Sequence, residues 1–201
     1  MGLVPLLLAA GITFGPADVQ PLAQAGDAES WAKVGYLGES ADGRVALVFE
    51  QGESEGGTEL RVTVAVIDSS GKQAAERIEW STHDGEQLDP VHAWEAQGAQ
   101  IHTLLERAGI KVGFKRFSAE EARQPKGLKL EFETDPQAAG AIEVKLDAKT
   151  WFRTEPRRTP RLTWKGVLST SKGSLHLFLL QRLGVGSGPA LEFLARALPA
   201  R

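Results

Sequence analysis

The sequence predicts an α+β fold that is predominantly β, made of antiparallel meanders and hairpins with one main amphipathic helix at about residues 90–108. Two observations predict this class. Several short segments alternate apolar and polar side chains, which is typical of strands that bury one face. One longer segment instead repeats its apolar residues at the spacing of a helix.

The stretch 34–70 predicts a three-stranded antiparallel meander. Asp42 and Gly43 predict a tight turn after the first strand, because both residue types tolerate positive φ. The Gly-rich stretch 52–58 predicts a longer loop before the third strand. The alternating apolar side chains of the second and third strands are Val45, Leu47, Phe49, Leu60, Val62, Val64 and Val66.

Residues 76–80 predict a fourth strand, and the helix follows. Asp89 is suited to cap its N-terminus and Pro90 to occupy its first turn, while Gly109 is suited to end it as the C′ residue. We expect the apolar face of this helix to pack on the sheet. That face consists of Val91, Trp94, Gly98, Ile101, Leu105 and Ala108.

Further alternating segments follow the helix. Residues 110–115 predict a strand, and Ser118 with Glu121 has the spacing of a capping box, which predicts one short helical turn. Residues 128–132 and 142–146 alternate clearly and predict two half-buried strands joined as a hairpin.

The C-terminal part weakly repeats the first meander. Residues 166–195 match the pattern of residues 35–64, with Gly173 in the turn position of Gly43 and a second Gly-rich loop before the last strand. Residues 190–198 alone fit either a short helix or a strand. The internal repeat favours the strand.

Composition narrows the functional classes. The 201 residues are 42% hydrophobic and 24% charged, which indicates a globular protein with a real core. The net charge of −3 provides no global basic field, so no nucleic-acid partner is expected. The chain has no cysteine, which excludes disulfides, cysteine zinc sites and cysteine nucleophiles. No cofactor is predicted, and the oligomeric state is left open.

Residues 1–25 resemble a signal peptide. Residues 3–14 are apolar but too few to span a bilayer as a helix, and Ala23 to Ala25 has the small-x-small pattern of a cleavage site. The expectation is a secreted or periplasmic protein, cleaved after Ala25, with a single β-rich domain at 26–201 and no transmembrane span in the mature chain. The alternative is a buried N-terminal segment.

The stretch 40–49, SADGRVALVF, resembles the S-x-D-G-R turn of β-propeller blades, including those of Tol-type periplasmic proteins. It also resembles the start of a bacterial family of predicted secreted proteins of unknown function, in which a second hairpin closes the chain. This resemblance implies export and blade-like hairpins. The chain is too short for four blades of about 40–45 residues plus its helix, so a closed propeller is not expected.

The segment 151–165, WFRTEPRRTPRLTWK, combines basic and aromatic residues. Arginines that stack on tryptophans could hold an anionic polymer, lipid headgroups or an acidic partner. The alternative is a Pro-rich crossover loop whose aromatic side chains fill the core and whose arginines are solvated. The candidate binding residues are Arg153, Arg157, Arg158, Arg161, Trp151 and Trp164.

No motif for catalysis or metal binding is visible. His92 and His102 are too far apart for one metal site on the helix, and His176 is expected on the polar side of a strand. The acidic loop 82–89 fits a solvated turn better than a calcium site.

Two hypotheses follow. The first is an exported, non-enzymatic β-rich protein that binds an unknown protein or an anionic envelope component. The second is an exported hydrolase-like enzyme with an unrecognised site. The lack of a nucleophile or ligand constellation favours the first.

Overall fold

The computed structural model describes residues 14–27, 30–53, 59–69, 75–81, 90–119, 126–132, 139–154, 157–158, 161–183 and 189–198. These residues form mostly antiparallel strands and one α-helix, and within these ranges no sheet closes into a barrel or propeller. The predicted fold class is therefore confirmed.

The described strands and the helix follow one another along the chain. In order they are β1 (Gln20–Gly26), β2 (Ser30–Glu39), β3 (Arg44–Glu53), β4 (Glu59–Asp68), β5 (Glu76–Ser81), α1 (Pro90–Arg107), β6 (Lys111–Val112), β7 (Phe117–Ala119), β8 (Leu128–Phe132), β9 (Ala139–Gly140), β10 (Ile142–Leu146), β11 (Lys149–Arg153), β12 (Arg157–Arg158), β13 (Arg161–Ser169), β14 (Ser174–Leu183) and β15 (Pro189–Ala197). A short 3-10 turn, Pro16–Asp18, precedes β1.

The first sheet has the order β1-β2-β3-β4-β5, and β6 pairs with the far end of β2. The predicted meander is β2-β3-β4 and the predicted fourth strand is β5, so both predictions are confirmed. The second sheet has the order β15-β14-β13-β7, and the third has the order β11-β10-β8. The hairpin predicted from the segments 128–132 and 142–146 is the β8-β10 pair. β9 and β12 form a separate two-stranded pair.

Helix α1 covers the outer face of the first sheet. Trp94, Ile101 and Leu105 are buried there with apolar side chains of β4, as predicted. Gly109 ends the helix at a φ of +64°, and its N–H donates to the carbonyl of Glu106 at 2.9 Å. Asp89, the predicted N-cap, lies outside the described residues. Among the described residues, no helix has the length and hydrophobicity needed to cross a lipid bilayer.

The other layers stack on the inner face of the first sheet. Leu175 and Leu177 of β14 pack against β2 and β3, whereas Phe178 and Leu180 pack against the third sheet. β14 is therefore buried on both faces, as a near-continuous apolar run is expected to be. The order of layers is helix, first sheet, second sheet, third sheet.

Turn contacts tie the first and second sheets together at one end. The N–H and Oγ of Ser69 donate to the carbonyl of Gly43 at 3.2 and 2.7 Å, and Thr170 Oγ1 donates to Ser69 Oγ at 2.9 Å. A Cβ on Gly173 would lie 2.8 Å from the Ser69 carbonyl oxygen. The two predicted turn glycines thus meet across one buried serine.

An ion pair reinforces this end. Glu39 accepts hydrogen bonds from the N–H of Ser171, at 2.7 Å, and from its hydroxyl, and it pairs with Lys115 Nζ at 2.6 Å. Burial raises the pKa of the Glu39 carboxyl, but the hydrogen bonds from Lys115 and Ser171 and the lysine charge outweigh it and lower the pKa. Glu39 therefore links β2 to the turn between β13 and β14 as a carboxylate.

Two local predictions need correction. Of the strand predicted at 110–115, only β6 pairs, because β1 already occupies the edge of β2 up to Tyr36. Phe114 is 83% exposed. Ser118 lies in β7, paired with Val167, rather than at the start of a helical turn. Residues 120–125 lie outside the described residues.

The structure decides between the strand and the short helix considered for residues 190–198. Residues 189–197 form β15, so the strand is right and the short helix is wrong. The segments 30–68 and 161–197 are both three-stranded antiparallel meanders, and they pack face to face. The sequence repeat itself stays a prediction.

The N-terminal segment contributes to the first sheet. β1 pairs with β2, and Phe14 is 4% exposed with its carbonyl accepting a hydrogen bond from Trp94 Nε1 at 2.9 Å. A Cβ on Gly35 would collide with the side chain of Val19. Cleavage after Ala25 stays a prediction, and it would remove all of β1 except Gly26.

This packing predicts a loss of stability on truncation. A chain that starts at Gly26 should unfold more easily than a chain that starts at Phe14, by more than about 3 kcal/mol, because it loses a buried phenylalanine and an edge strand. Urea denaturation of the two chains measures the difference. Equal free energies of unfolding would show that residues 14–25 do not support the fold.

Candidate functional site

A cleft of about 430 Å³ opens between the first and second sheets on the side of β4 and β5. One wall comes from β3, β4 and β5. The other comes from β15, the end of β11 and Leu180 of β14. It is the place where the sandwich of the two sheets stays open.

The alternation of β4 and β5 explains the opening. The even-numbered residues of β4, from Leu60 to Val66, are buried towards α1, and the odd-numbered residues face the cleft. Arg61 and Thr63 of β4 and Arg77 and Glu79 of β5 are polar and line it. At β2 and β3 the same face is apolar and packs on the second sheet. The sheets therefore close over β2, β3 and the Ile67 end of β4, and they separate over the Arg61 end of β4 and over β5.

The described lining is rich in arginine. It contains four arginines and two glutamates, so within the lining the basic side chains outnumber the acidic ones two to one. Within the lining, Arg61 Nε pairs with Glu79 Oε1 at 3.4 Å. The charged residues are Arg61, Arg77, Arg153, Arg196, Glu79 and Glu192. The lining thus carries a formal excess of two positive charges.

Two of these arginines lie at well-fixed positions of the chain. Arg196 lies over the ring of Phe152 at 5.1 Å, and its Nη1 donates to the carbonyl of Ala195 at 2.9 Å. Burial lowers the pKa of Arg196, but a guanidinium stays protonated in proteins. Arg153 precedes Thr154, a buried residue whose N–H donates to the carbonyl of Ile142 at 3.0 Å and whose Oγ1 accepts from the Ile142 N–H at 2.9 Å. These bonds fix the end of β11 beside the cleft.

The structure describes four of the six side chains predicted as one basic and aromatic site and places them in different surroundings. Arg153 lines the cleft, and Arg161 is exposed at the start of β13. The main chain of Arg157 and Arg158 pairs with residues 139–140, and their side chains lie outside the description. The segment is mostly strand, so the alternative of a crossover loop is wrong in that respect.

The two predicted tryptophans point into the protein instead. Trp164 is 6% exposed in the core between the second and third sheets. Trp151 is half-buried, and its Nε1 donates to the carbonyl of Ala197 at 2.7 Å. Both rings lie against His176. Their aromatic surface supports β14 rather than the cleft.

His176 is buried, which corrects its predicted place on a polar face. Trp164 Nε1 donates to His176 Nδ1 at 3.2 Å. Since an indole N–H can only donate, Nδ1 must accept, and the imidazole proton lies on Nε2. Nε2 therefore donates to Ser174 Oγ at 3.3 Å. A histidine that activates a serine must accept its proton, so this pair is not arranged for nucleophilic catalysis.

The described residues contain no candidate metal site. No group of three or more histidine, aspartate or glutamate side chains there is placed to hold an ion. The loop 82–89, considered as a calcium site, lies outside the described residues.

Sequence reasoning missed most of the cleft. Arg61, Arg77 and Arg196 are far apart along the chain and stand singly among apolar or acidic neighbours, so no local run marks them. The sequence pattern that could have identified these arginines is strand alternation, which places each of them on a different face from the odd- or even-numbered apolar residues beside it. Comparison with known proteins adds no further guide, since no family model, curated protein or solved structure matches the chain.

His176 predicts an acid-sensitive fold. Burial lowers its pKa to about 4, against 6.5 when unfolded, and Arg196 lies opposite it on the neighbouring strand. The unfolded chain therefore binds the proton more readily between these values. Stability should be intact above pH 6.5, fall by up to about 3 kcal/mol as the pH drops to 4, and then level off with respect to this group.

Denaturation at several pH values tests this expectation with two variants. His176→Phe should weaken the fold at neutral pH, because Trp164 loses its acceptor, but should flatten the decline between pH 6.5 and 4. His102→Phe is the matched control and should keep that decline. An unchanged decline in His176→Phe would contradict the assignment.

Proposed function

We propose that the chain is an exported, non-enzymatic β-rich protein that binds an anionic partner or envelope component in the arginine-lined cleft. The observation that carries this proposal is the charge of the cleft, in which four arginines face two glutamates. The whole chain is slightly acidic, with a net charge of −3, so this positive region is local.

The type of cation supports the same function. Every basic residue in the described lining is an arginine. A guanidinium presents a rigid fork of donors that matches carboxylate and phosphate groups, whereas a lysine acts as a point charge. Several guanidiniums on opposite walls suit a ligand with more than one anionic group.

Binding is better supported than hydrolysis. The described lining contains no histidine, serine, cysteine or aspartate. His176 is buried, and in its pair with Ser174 the imidazole proton lies on the wrong nitrogen for activating a nucleophile. Within the described ranges, no geometric observation favours the hydrolase-like alternative.

The predicted basic segment connects to this site through one residue. Arg153 lines the cleft, and participation of Arg157, Arg158 and Arg161 stays a prediction for a ligand that extends beyond it. Export rests on the apolar N-terminal stretch and the resemblance of the first hairpin to secreted proteins.

Charge reversal in the cleft tests the proposal. Arg77 and Arg153 are both exposed, so the double variant Arg77→Glu/Arg153→Glu should fold while losing affinity for poly-L-glutamate. We expect Kd to rise at least about tenfold, and parent binding to weaken as salt is added. The change in tryptophan fluorescence on titration measures both.

Lys111→Glu/Arg116→Glu is the matched control, because it reverses the same number of charges at two exposed residues that do not line the cleft. It should bind as the parent does, and all three proteins should melt at similar temperatures. Equal loss of affinity in Lys111→Glu/Arg116→Glu would show that only net charge matters. Failure of the parent protein to bind poly-L-glutamate at low salt would contradict the proposed function.

A further inference from the structure

β5 ends the first sheet without a neighbour on its outer side among the described residues. It pairs with β4, and no described strand pairs with its other edge. An edge strand presents a row of main-chain N–H and C=O groups that can pair with another extended chain. The open edge of β5 is therefore a physical template for one more strand.

This edge lies between two concave surfaces. Arg77 and Glu79 point to the arginine-lined cleft on one side of the sheet. On the other side a groove of about 610 Å³ runs between β5 and α1. Ile78, Ala99 and Leu104 give it apolar surface, and polar residues, among them Arg77 at the shared edge, complete its lining. A strand added to β5 would send alternate side chains into the cleft and into this groove.

We propose that β5 is the docking edge for an extended acidic segment of a partner protein, with acidic side chains over the cleft and apolar side chains in the groove beside α1. This inference rests on the proposed function and names the partner class. Main-chain hydrogen bonds to an edge strand supply affinity, and pockets for alternate side chains supply specificity.

The dimensions set the length of the segment. β5 has six residues, and a strand rises about 3.3 Å per residue, so it spans about 20 Å. A segment of about six residues covers it. Three of its side chains would face the cleft and three the groove.

Charge favours an acidic partner over a second copy of this chain. Two copies could pair through β5 with Arg77 opposite Glu79, but the pairing would bring together two clefts that each carry excess positive charge. An acidic segment instead neutralises that excess. In the groove, Glu76 and Arg107 already form an ion pair, and Ile78, Ala99 and Leu104 provide apolar surface for the ligand.

Three blocked hexapeptides test the proposal by calorimetric titration of the full chain. The alternating acidic peptide EVEVEV should bind at least tenfold more tightly than EEEVVV, which has the same composition and charge, and KVKVKV should not bind.

N-methylation of EVEVEV tests the direction of the main-chain hydrogen bonds. Because only alternate residues of an added strand direct N–H groups to β5, N-methylation of one alternate set should abolish binding. N-methylation of the other set should change Kd by less than about twofold. Equal effects of the two sets would overturn strand addition.

Two variants of α1 separate the groove from general effects of charge. Ala99→Lys places a long side chain in the groove and should weaken EVEVEV roughly tenfold. Ala96→Lys is the matched control, because Ala96 is also exposed on α1 and lies outside the groove. The two variants add the same charge. Equal affinities of the two variants would overturn the groove assignment.

Two further outcomes distinguish this inference from the proposed function. If poly-L-glutamate binding depends on Arg77 and Arg153 but EVEVEV and EEEVVV bind alike, strand addition is overturned and the anion-binding cleft stands. If sedimentation shows a dimer of the free chain that Ala99→Lys dissociates and Ala96→Lys does not, the edge belongs to a second copy and the partner assignment is overturned.

Discussion

The burial of β14 on both faces is the constraint on which the other layers depend. Leu175 and Leu177 point to the first sheet, and Phe178 and Leu180 point to the third. Each such side chain stabilises the fold by about 1.5–3 kcal/mol when removed from water. Loss of either covering sheet would expose these side chains and lower the free energy of unfolding. This strand also brings β15, and with it Arg196, to the wall of the cleft.

The cleft follows from where that apolar contact stops. β2 and β3 present apolar side chains to the second sheet, but β4 and β5 present arginine, threonine and glutamate on the same face. Polar side chains resist burial without partners, so the two sheets do not close over them. A surface with charged walls and an open strand edge at its rim is suited to recognition, and the aromatic cluster around His176 holds the opposite wall in place.

The sequence predicted elements better than it predicted surfaces. Strands such as β4, with one apolar face, and the helix α1 are marked by local periodicity. β14 is buried on both faces, so the alternation of its residues does not distinguish a buried face from an exposed one. For this reason His176 was predicted on a polar face although it is buried. The length of β6 depends on β1, which lies about ninety residues away along the chain and takes the available edge. The arginine cleft is likewise a tertiary feature, and only Arg153 belonged to a conspicuous local run.

Amide hydrogen exchange along residues 76–81 tests the central claim, that the open edge of β5 is the recognition surface, most directly. With saturating EVEVEV, alternate amides of β5 should become strongly protected, because those that point outward gain acceptors. The amides already bonded to β4 should change little, and so should those of β1 at the opposite side of the sheet. Unchanged exchange throughout β5 in the presence of bound peptide would contradict the account.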